Sequence, residues 1–231
     1  MPAHRSDEEL YDLLKRELFT AVVGDVLDQM GLRRQFLPFG IAPLRPEMKL
    51  AGRAMPVLQA DVLEGADAFS AGPLLEKNPF GQLFRALDDL KPGEVYIANA
   101  PSLTYATWGG LMSTRALYLK AAGAVLEGCV RDANEIERLR FPVFCRGLYA
   151  QDQRWRGMVL DFRCAIKIGG VHVAPGSLVF ADREGVLVIP REAEREAVER
   201  ALEKARTETR VGAAIRAGMS TVEAFDKFGV M

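Results

Sequence analysis

Two short phrases in this sequence combine residue types that could do chemistry. Trp108-Gly109-Gly110-Leu111-Met112 sets two glycines directly before a stretch with helical spacing, and Gly128-Cys-Val-Arg131-Asp132-Ala-Asn-Glu135 sets a cation beside an anion. Glycines at the start of a helix let the backbone approach a ligand closely. The first N–H groups of that helix, here those of Leu111 and Met112, have no partner within it and suit a carboxylate or a phosphate. A tight strand-to-helix turn accounts for the glycines equally well. Arg131 and Asp132 follow an apolar stretch and precede a second helical one, the place where open α/β sheets gather ligands. An arginine there can hold a carboxylate or an enolate oxygen through its planar fork. An aspartate there can hold a hard cation such as Mg²⁺, with waters and substrate oxygens in the other positions. The structural alternative is that Asp132 caps the following helix and Arg131 pairs with a surface acid.

Cleavage or decarboxylation of a small 2-oxo acid is one chemistry with which these groups are coherent, since negative charge then builds on the former ketone oxygen. A divalent cation chelated by the ketone and the carboxylate acts as a Lewis acid, and the Arg131 guanidinium stabilises the developing enolate. No histidine base is required where metal-bound water moves the proton, which agrees with a chain holding only His4 and His172. A Schiff-base mechanism would need a desolvated lysine; Lys120 and Lys167 are the candidates. Cys129, Cys145 and Cys164 form no CxxC pair, so zinc-finger and thioredoxin chemistry are excluded and reduced, mostly buried thiols are expected. No glycine-rich nucleotide loop with an acid about twenty residues on is present, which argues against a methyltransferase.

The elements that must position these residues are legible from periodicity. The 231 residues are 49% hydrophobic and 26% charged, with net charge -1, so nothing pulls the chain toward nucleic acid or an anionic membrane. No apolar run is long enough for a spanning helix, and the charged start MPAHRSDEELYDLLKRE lacks a signal-peptide core, so a cytoplasmic protein is expected. The spacing of Leu10, Leu13, Leu14, Leu18 and Val22 predicts a helix over 7–31, capped by Ser6 with Glu9 and broken at Gly24. Residues 33–56 read as loop with one short strand, Met55–Val62 as a strand, and 67–84 as mixed helix and loop. Strands over Glu94–Ala98, Ala124–Leu126 and Phe141–Arg146 alternate with helices over Leu111–Ala122, stopped by Gly123, and from Arg131–Asp132 through Arg138. This alternation predicts βαβ units in a partly parallel sheet. Cys164–Ile168, Val171–Val173, Leu178–Ala181 and Val186–Ile189 read as a β-meander. Its phrase Ala-Pro-Gly-Ser-Leu-Val-Phe-Ala-Asp echoes Lys-Pro-Gly-Glu-Val-Tyr-Ile-Ala-Asn, which suggests packed sheets with helices outside. A long amphipathic helix spans 190–217 and a short helical cap follows. The domain reading is a single α/β domain over 1–231: a helical N-terminal arm (1–50), a core (51–190) and C-terminal helices (191–231).

The run from Trp108 to Pro190 resembles the family of 4-hydroxy-4-methyl-2-oxoglutarate / 4-carboxy-4-hydroxy-2-oxoadipate aldolases, which also holds the regulator of ribonuclease E activity A and was once mislabelled demethylmenaquinone methyltransferase. The matching phrases are Trp-Gly-Gly-Leu-Met-Ser-Thr, Gly-Cys-Val-Arg-Asp, Phe-Pro-Val-Phe, Gly-Gly-Val-His-Val-Ala-Pro-Gly-Ser and Ala-Asp-Arg-Glu-Gly-Val-Leu-Val-Ile-Pro. The family's aldolase signature is a glycine, twenty residues, Arg-Asp, two residues and an acid; Gly110, Arg131, Asp132 and Glu135 fit it. The resemblance implies a β/β/α swivelling-type domain assembled as homotrimers or hexamers. It implies Asp132 on a divalent metal, Mg²⁺ or Mn²⁺, and Arg131 on substrate and enolate. Gly109, Gly110 and the amides of Leu111 and Met112 would cradle the pyruvyl part. The substrate would be a 4-hydroxy-2-oxo acid, cleaved to pyruvate and a second oxo acid, with oxaloacetate decarboxylation as a side activity. Some aldolases carry an acid where this chain has Gly110. The competing expectation is a non-enzymatic regulator that binds a ribonuclease.

Overall fold

The inner strands of the central sheet read as apolar runs because both of their faces are covered. The computed structural model describes residues 6–62 and 78–230. Numbered in chain order, the first half holds α1 (Asp7–Glu17), α2 (Thr20–Gln29), β1 (Ala42–Pro43), β2 (Leu50–Asp61), α3 (Leu83–Asp88), β3 (Glu94–Ala98), β4 (Ala106–Trp108), α4 (Gly110–Tyr118) and β5 (Gly123–Leu126). The second half holds β6 (Cys129–Val130), α5 (Ala133–Leu139), β7 (Val143–Cys145), β8 (Gly147–Leu148), β9 (Gly157–Phe162), β10 (Ile166–Ile168), β11 (Val171–Val173), β12 (Leu178–Asp182), β13 (Gly185–Ile189), α6 (Glu194–Arg216) and α7 (Thr221–Phe228).

The large sheet runs β1-β7-β5-β3-β2-β12-β13, with β9 also paired to β2. Strands β2, β3, β5 and β7 are mutually parallel, as the βαβ reading predicts. On one face Val95, Ile97, Val125, Val179 and Val188 pack against Ile166, Ile168, Val171 and Val173 of the β10–β11 hairpin. On the other face Tyr96, Ala98 and Leu126 meet α3, α4 and α5 through Leu83, Ala116 and Ile136. Farther along that face Leu178, Phe180, Leu187 and Ile189 meet Leu10, Leu14, Val22, Val198 and Leu202. The layers are therefore hairpin, sheet and helices, the β/β/α order. Each Val, Leu, Ile or Phe among these contributes roughly 1.5–3 kcal/mol on burial, so the layering is the main source of stability. The echoing phrases at 91–99 and 174–182 fall in one sheet and not in two packed ones: β3 flanks β2 in parallel and β12 flanks its other edge antiparallel.

Several boundaries depart from the sequence reading. The break in the N-terminal helix falls at Leu18 and Phe19, both extended, and Gly24 lies inside α2. Lys49 explains the stop, donating from Nζ to the carbonyls of Lys15 (3.0 Å) and Leu18 (3.3 Å). Gly24 is there for space: a Cβ would sit 2.4 Å from the Phe36 ring. Strand β2 begins at Leu50, earlier than Met55, because its first residues pair with β12. Helix α4 ends at Tyr118, not Ala122. Lys120 is left-handed (φ 60°) while the N–H of Ala121 reaches back to the carbonyl of Ala116 at 3.0 Å, a Schellman-type stop. Gly123 opens β5 instead of ending the helix. Cys129–Val130 belongs to a separate three-stranded sheet, β4-β6-β8. Most of the stretch expected over 67–84, and His4, lie outside the described residues.

Two charged clasps bind the helices to the sheet. Arg53 of β2 pairs with Asp7 of α1 and Glu194 of α6. Buried Asp182 of β12 accepts from the Thr20 N–H (2.7 Å) and hydroxyl (2.7 Å) and from the Glu184 N–H (2.9 Å), so it caps α2 from across the fold. Asp182→Ala leaves those donors unpaired, and we expect a loss of about 2–3 kcal/mol in urea unfolding. The Arg53 guanidinium holds the Asp7 carboxyl below its ordinary value. A group with a depressed folded pKa adds stability above its unfolded pKa and loses it as pH falls through the folded one. Stability should therefore fall less steeply with acidification below about pH 4 in Asp7→Asn than in the parent chain.

Candidate active site

The small sheet β4-β6-β8 brings the two sequence phrases together. Its strands are parallel, and the chain leaves β4 at Gly109, β6 at Arg131 and β8 at Tyr149. The Arg131 N–H donates to the Trp108 carbonyl (3.0 Å), and the Tyr149 N–H donates to the Val130 carbonyl (3.0 Å). Trp108 fixes the floor. Its ring is buried against Tyr96 and Phe141, and its indole N–H donates to Ser113 Oγ at 2.7 Å. Ser113 in turn donates from N–H and Oγ to the Gly109 carbonyl. The Gly109–Gly110 turn is thus held from beneath, and Gly109 is the N-cap of α4.

Asp132 stands at the N-cap position of α5 but makes no side-chain capping bond. Its backbone is left-handed (φ 59°, ψ 34°), a conformation aspartate tolerates better than most residues. Lys120, Arg140, Trp155 and Arg163 share that sign of φ, so the geometry alone marks nothing. What it does here is turn the carboxylate away from α5 toward the other phrase: Oδ2 accepts from the Gly110 N–H at 3.0 Å. The cap explanation for Asp132 therefore fails. Arg131 lies alongside, with Nε 3.9 Å from Asp132 Oδ2 and Nη1 3.3 Å from Asp152 Oδ1. The surface-acid explanation for Arg131 is met in part by Asp152, which sequence reasoning missed. No local signal marked it: Gln151-Asp152-Gln153 has no periodicity and lies twenty-one positions from Arg131.

The glycines are explained by contact. A Cβ at Gly109 would lie 2.9 Å from Asp132 Oδ2, and one at Gly110 would lie 3.1 Å from Glu135 Cγ and 3.2 Å from Asp132 Cβ. An acidic side chain at 110 would be crowded by Glu135, which pairs with Arg138, and the Glu135 side chain would have to shift to admit it. A cleft of about 540 Å³ opens beside the pair, lined by Val130, Arg131, Asp132, Ala133, Leu148, Tyr149 and Ala150. Leu111 is exposed and neither it nor Met112 lines this cleft; the α4 terminus reaches it through the Gly110–Asp132 bond. No group of three or more His, Cys, Asp or Glu with metal-holding geometry occurs among the described residues. Asp132 offers a single carboxylate, a donor set that would suit only a hard cation keeping several waters, as Mg²⁺ does.

The other sequence candidates lie elsewhere. Lys167 and His172 are exposed cross-strand neighbours on the β10–β11 hairpin, and Lys120 is exposed beyond α4, so neither lysine is desolvated. The cysteines are free; burial raises the thiol of Cys145 to about 11 and those of Cys129 and Cys164 as well, which makes them poor nucleophiles. No described helix is long and apolar enough to cross a membrane. Gly109→Ala should push Asp132 off the Gly110 amide at a cost of about 1–3 kcal/mol. The measurement is the Gly110 amide resonance, which should shift toward the position it takes in Asp132→Ala.

Residues 20–188 match the family model described as RraA-like, Aldolase/RraA. The chain is 32% identical over 205 residues to Protein DlpA of Legionella pneumophila, covering 88% of this chain and 31% of that protein. It is 32% identical over 123 residues to a Halalkalibacterium halodurans protein provisionally named 4-hydroxy-4-methyl-2-oxoglutarate aldolase, covering 53% of this chain and 58% of that one. The chain thus spans about a third and somewhat over half of these two relatives. Among solved structures, RraAS2 of Streptomyces coelicolor, described as an unusual member of the RNase ES inhibitor RraA protein family, superposes with a TM-score of 0.74. It is 26% identical, with 90% of this chain and 98% of that one covered.

Proposed function

Because the chain belongs to the RraA-like family, we propose that it is a divalent-metal-dependent pyruvate aldolase that cleaves a 4-hydroxy-2-oxo acid to pyruvate and a second oxo acid. The observation that carries this reading is the bond from the Gly110 N–H to Asp132 Oδ2. It fixes one carboxylate oxygen, turns the group away from its own helix and sets it beside Arg131 at a cleft.

In the reaction the C4 hydroxyl of the substrate gives up its proton and becomes a carbonyl as the C3–C4 bond breaks. The bonding pair passes to C3, giving the enolate of pyruvate, which is then protonated at C3. Asp132 would hold the cation, Mg²⁺ or Mn²⁺, with its remaining carboxylate oxygen. When bound, that ion supplies Lewis-acid charge to the 2-oxo acid. Arg131 faces the oxygen on which charge develops, and a fixed cation there lowers the barrier more than it tightens ground-state binding. The amides of Leu111 and Met112 in the first turn of α4 lie outside the lining of this cleft, and they would take the substrate carboxylate only where the substrate extends past Asp132 to that helix start. Leu148, Tyr149 and Ala150 form the less polar wall of the cleft and would meet the far end of the substrate. Oxaloacetate, which yields the same enolate on losing CO₂, would be a second substrate. The exposed side chains of Leu111 (87%), Leu148 (61%) and Tyr149 (47%) around the site fit a homo-oligomer, trimer or hexamer, whose neighbouring subunit covers them.

The test is pyruvate release from 4-hydroxy-4-methyl-2-oxoglutarate and from oxaloacetate, with Mg²⁺ and with EDTA. Activity should depend on the metal and vanish in Asp132→Ala, and Arg131→Ala should lower kcat by about 10²–10³-fold. An Asp132→Ala variant as fast as the parent would sink the mechanism. The second reading, a protein regulator of ribonuclease E, is favoured by the likeness to RraAS2. It would prevail if no 2-oxo acid were turned over while the protein slowed that ribonuclease.

A further inference from the structure

Arg131 is a long, partly exposed side chain, and something must hold its guanidinium if it is to act as an aimed charge. Asp132 is poorly suited to that task. It stands 3.9 Å from Nε, and the same oxygen already accepts from the Gly110 N–H. Among the described residues the other acid within ion-pair reach of Arg131 is Asp152, 3.3 Å from Nη1.

The backbone around Asp152 is tied to the scaffold on both sides. The Gln151 carbonyl accepts from the Ala106 N–H of β4 at 2.8 Å, and Asp152 itself bridges Ala106 in parallel. Gln153 is buried, and its amide donates to Gln59 Oε1 of β2 at 3.3 Å. Its carbonyl accepts from the N–H groups of Arg156 (2.9 Å) and Gly157 (3.0 Å) at the entry to β9. That turn is closed tightly on Tyr105: a Cβ at Gly157 would lie 2.1 Å from the phenolic oxygen, which donates to Asp61 at 2.8 Å. The backbone that carries Asp152 is therefore anchored on both sides, so its short side chain starts from a fixed position, whereas the Arg131 guanidinium sits at the end of a long side chain.

We propose that Asp152 is the positioning residue that aims Arg131, holding one arm of the guanidinium so that the rest of the fork faces the cleft. The proposal rests on the aldolase reading for its catalytic consequence and on geometry alone for the tether. Both side chains are about 40% exposed, and ion pairs of that kind add little to folding stability. Removing Asp152 should thus leave the thermal midpoint close to that of the parent while the chemistry suffers.

The experiment compares Asp152→Ala and Asp152→Asn with the parent chain. For pyruvate release, Asp152→Ala should lower kcat by about 10–100-fold, with KM changed by less than about threefold, the signature of an interaction used chiefly in the transition state. Asp152→Asn keeps an oxygen acceptor for Nη1 and should recover part of the loss. The second readout is ¹⁵N NMR of the arginine side chains, with the Arg131 signal assigned from Arg131→Lys. Ordered Nε–H relaxation in the parent and increased mobility in Asp152→Ala are expected. Unchanged kcat, or unchanged Arg131 order in Asp152→Ala, would overturn the proposal. Should the parent release no pyruvate, the aldolase reading falls, and the NMR comparison still decides the tether: lost order upholds it and retained order refutes it.

Discussion

Strand β2 has to serve three neighbours with two edges. It does so by dividing its length. Leu50 to Arg53 pair with β12, Val57 to Asp61 pair with β9 across an irregularity at Leu58 and Gln59, and the opposite edge pairs with β3. Twelve residues of continuous backbone bonding thereby join the C-terminal strands, the parallel core and the segment that leads back from the small sheet. Arg53, at the first end, gathers α1 and α6 through Asp7 and Glu194. Gln59, near the other end, receives Gln153. Both poles of the molecule take their positions from one strand.

The candidate site follows from a second, smaller constraint. Strands β4, β6 and β8 are very short, yet they are parallel and adjacent, so the chain segments leaving them emerge side by side. Gly110, Arg131 with Asp132, and Tyr149 with Asp152 come from these three exits. The polar contacts between them are few: one amide to one carboxylate, and one guanidinium between two acids. The exposed ion pairs of Arg131 add little to folding. Their role is orientation, and the apolar packing of Trp108 on Tyr96 and Phe141 bears the structural load underneath.

The parts of this arrangement legible in the sequence are those with a local cause. Apolar runs announced the strands, and the Ser6 cap and the stripe of α6 marked their elements directly. Arg131 and Asp132 stood out because a charged pair at a strand exit is conspicuous, and the resemblance named the rest. What was not legible was set by distant contacts. Lys49 ends α1 from thirty-one to thirty-four positions away, Asp182 caps α2 from across the fold, and Asp152 reaches Arg131 from a stretch without pattern. The helix stop at Tyr118 was misread because Gly123 looked like a terminator, whereas a Cβ there would meet Leu50 and the carbonyl of Pro142, each at 2.6 Å.

One detail of the small sheet bears on how such a protein could diversify. The wall Leu148–Tyr149–Ala150 is pinned by two bonds, the Tyr149 N–H on Val130 within it and the Gln151 carbonyl on Ala106 just after it. Everything ionic at the site lies outside that bow. Descendants of this sequence could exchange or lengthen the bow and so admit molecules of another shape, while inheriting the charge-bearing apparatus intact. The shape of the cleft and the placement of its charges would then be heritable separately, on neighbouring stretches of the same chain.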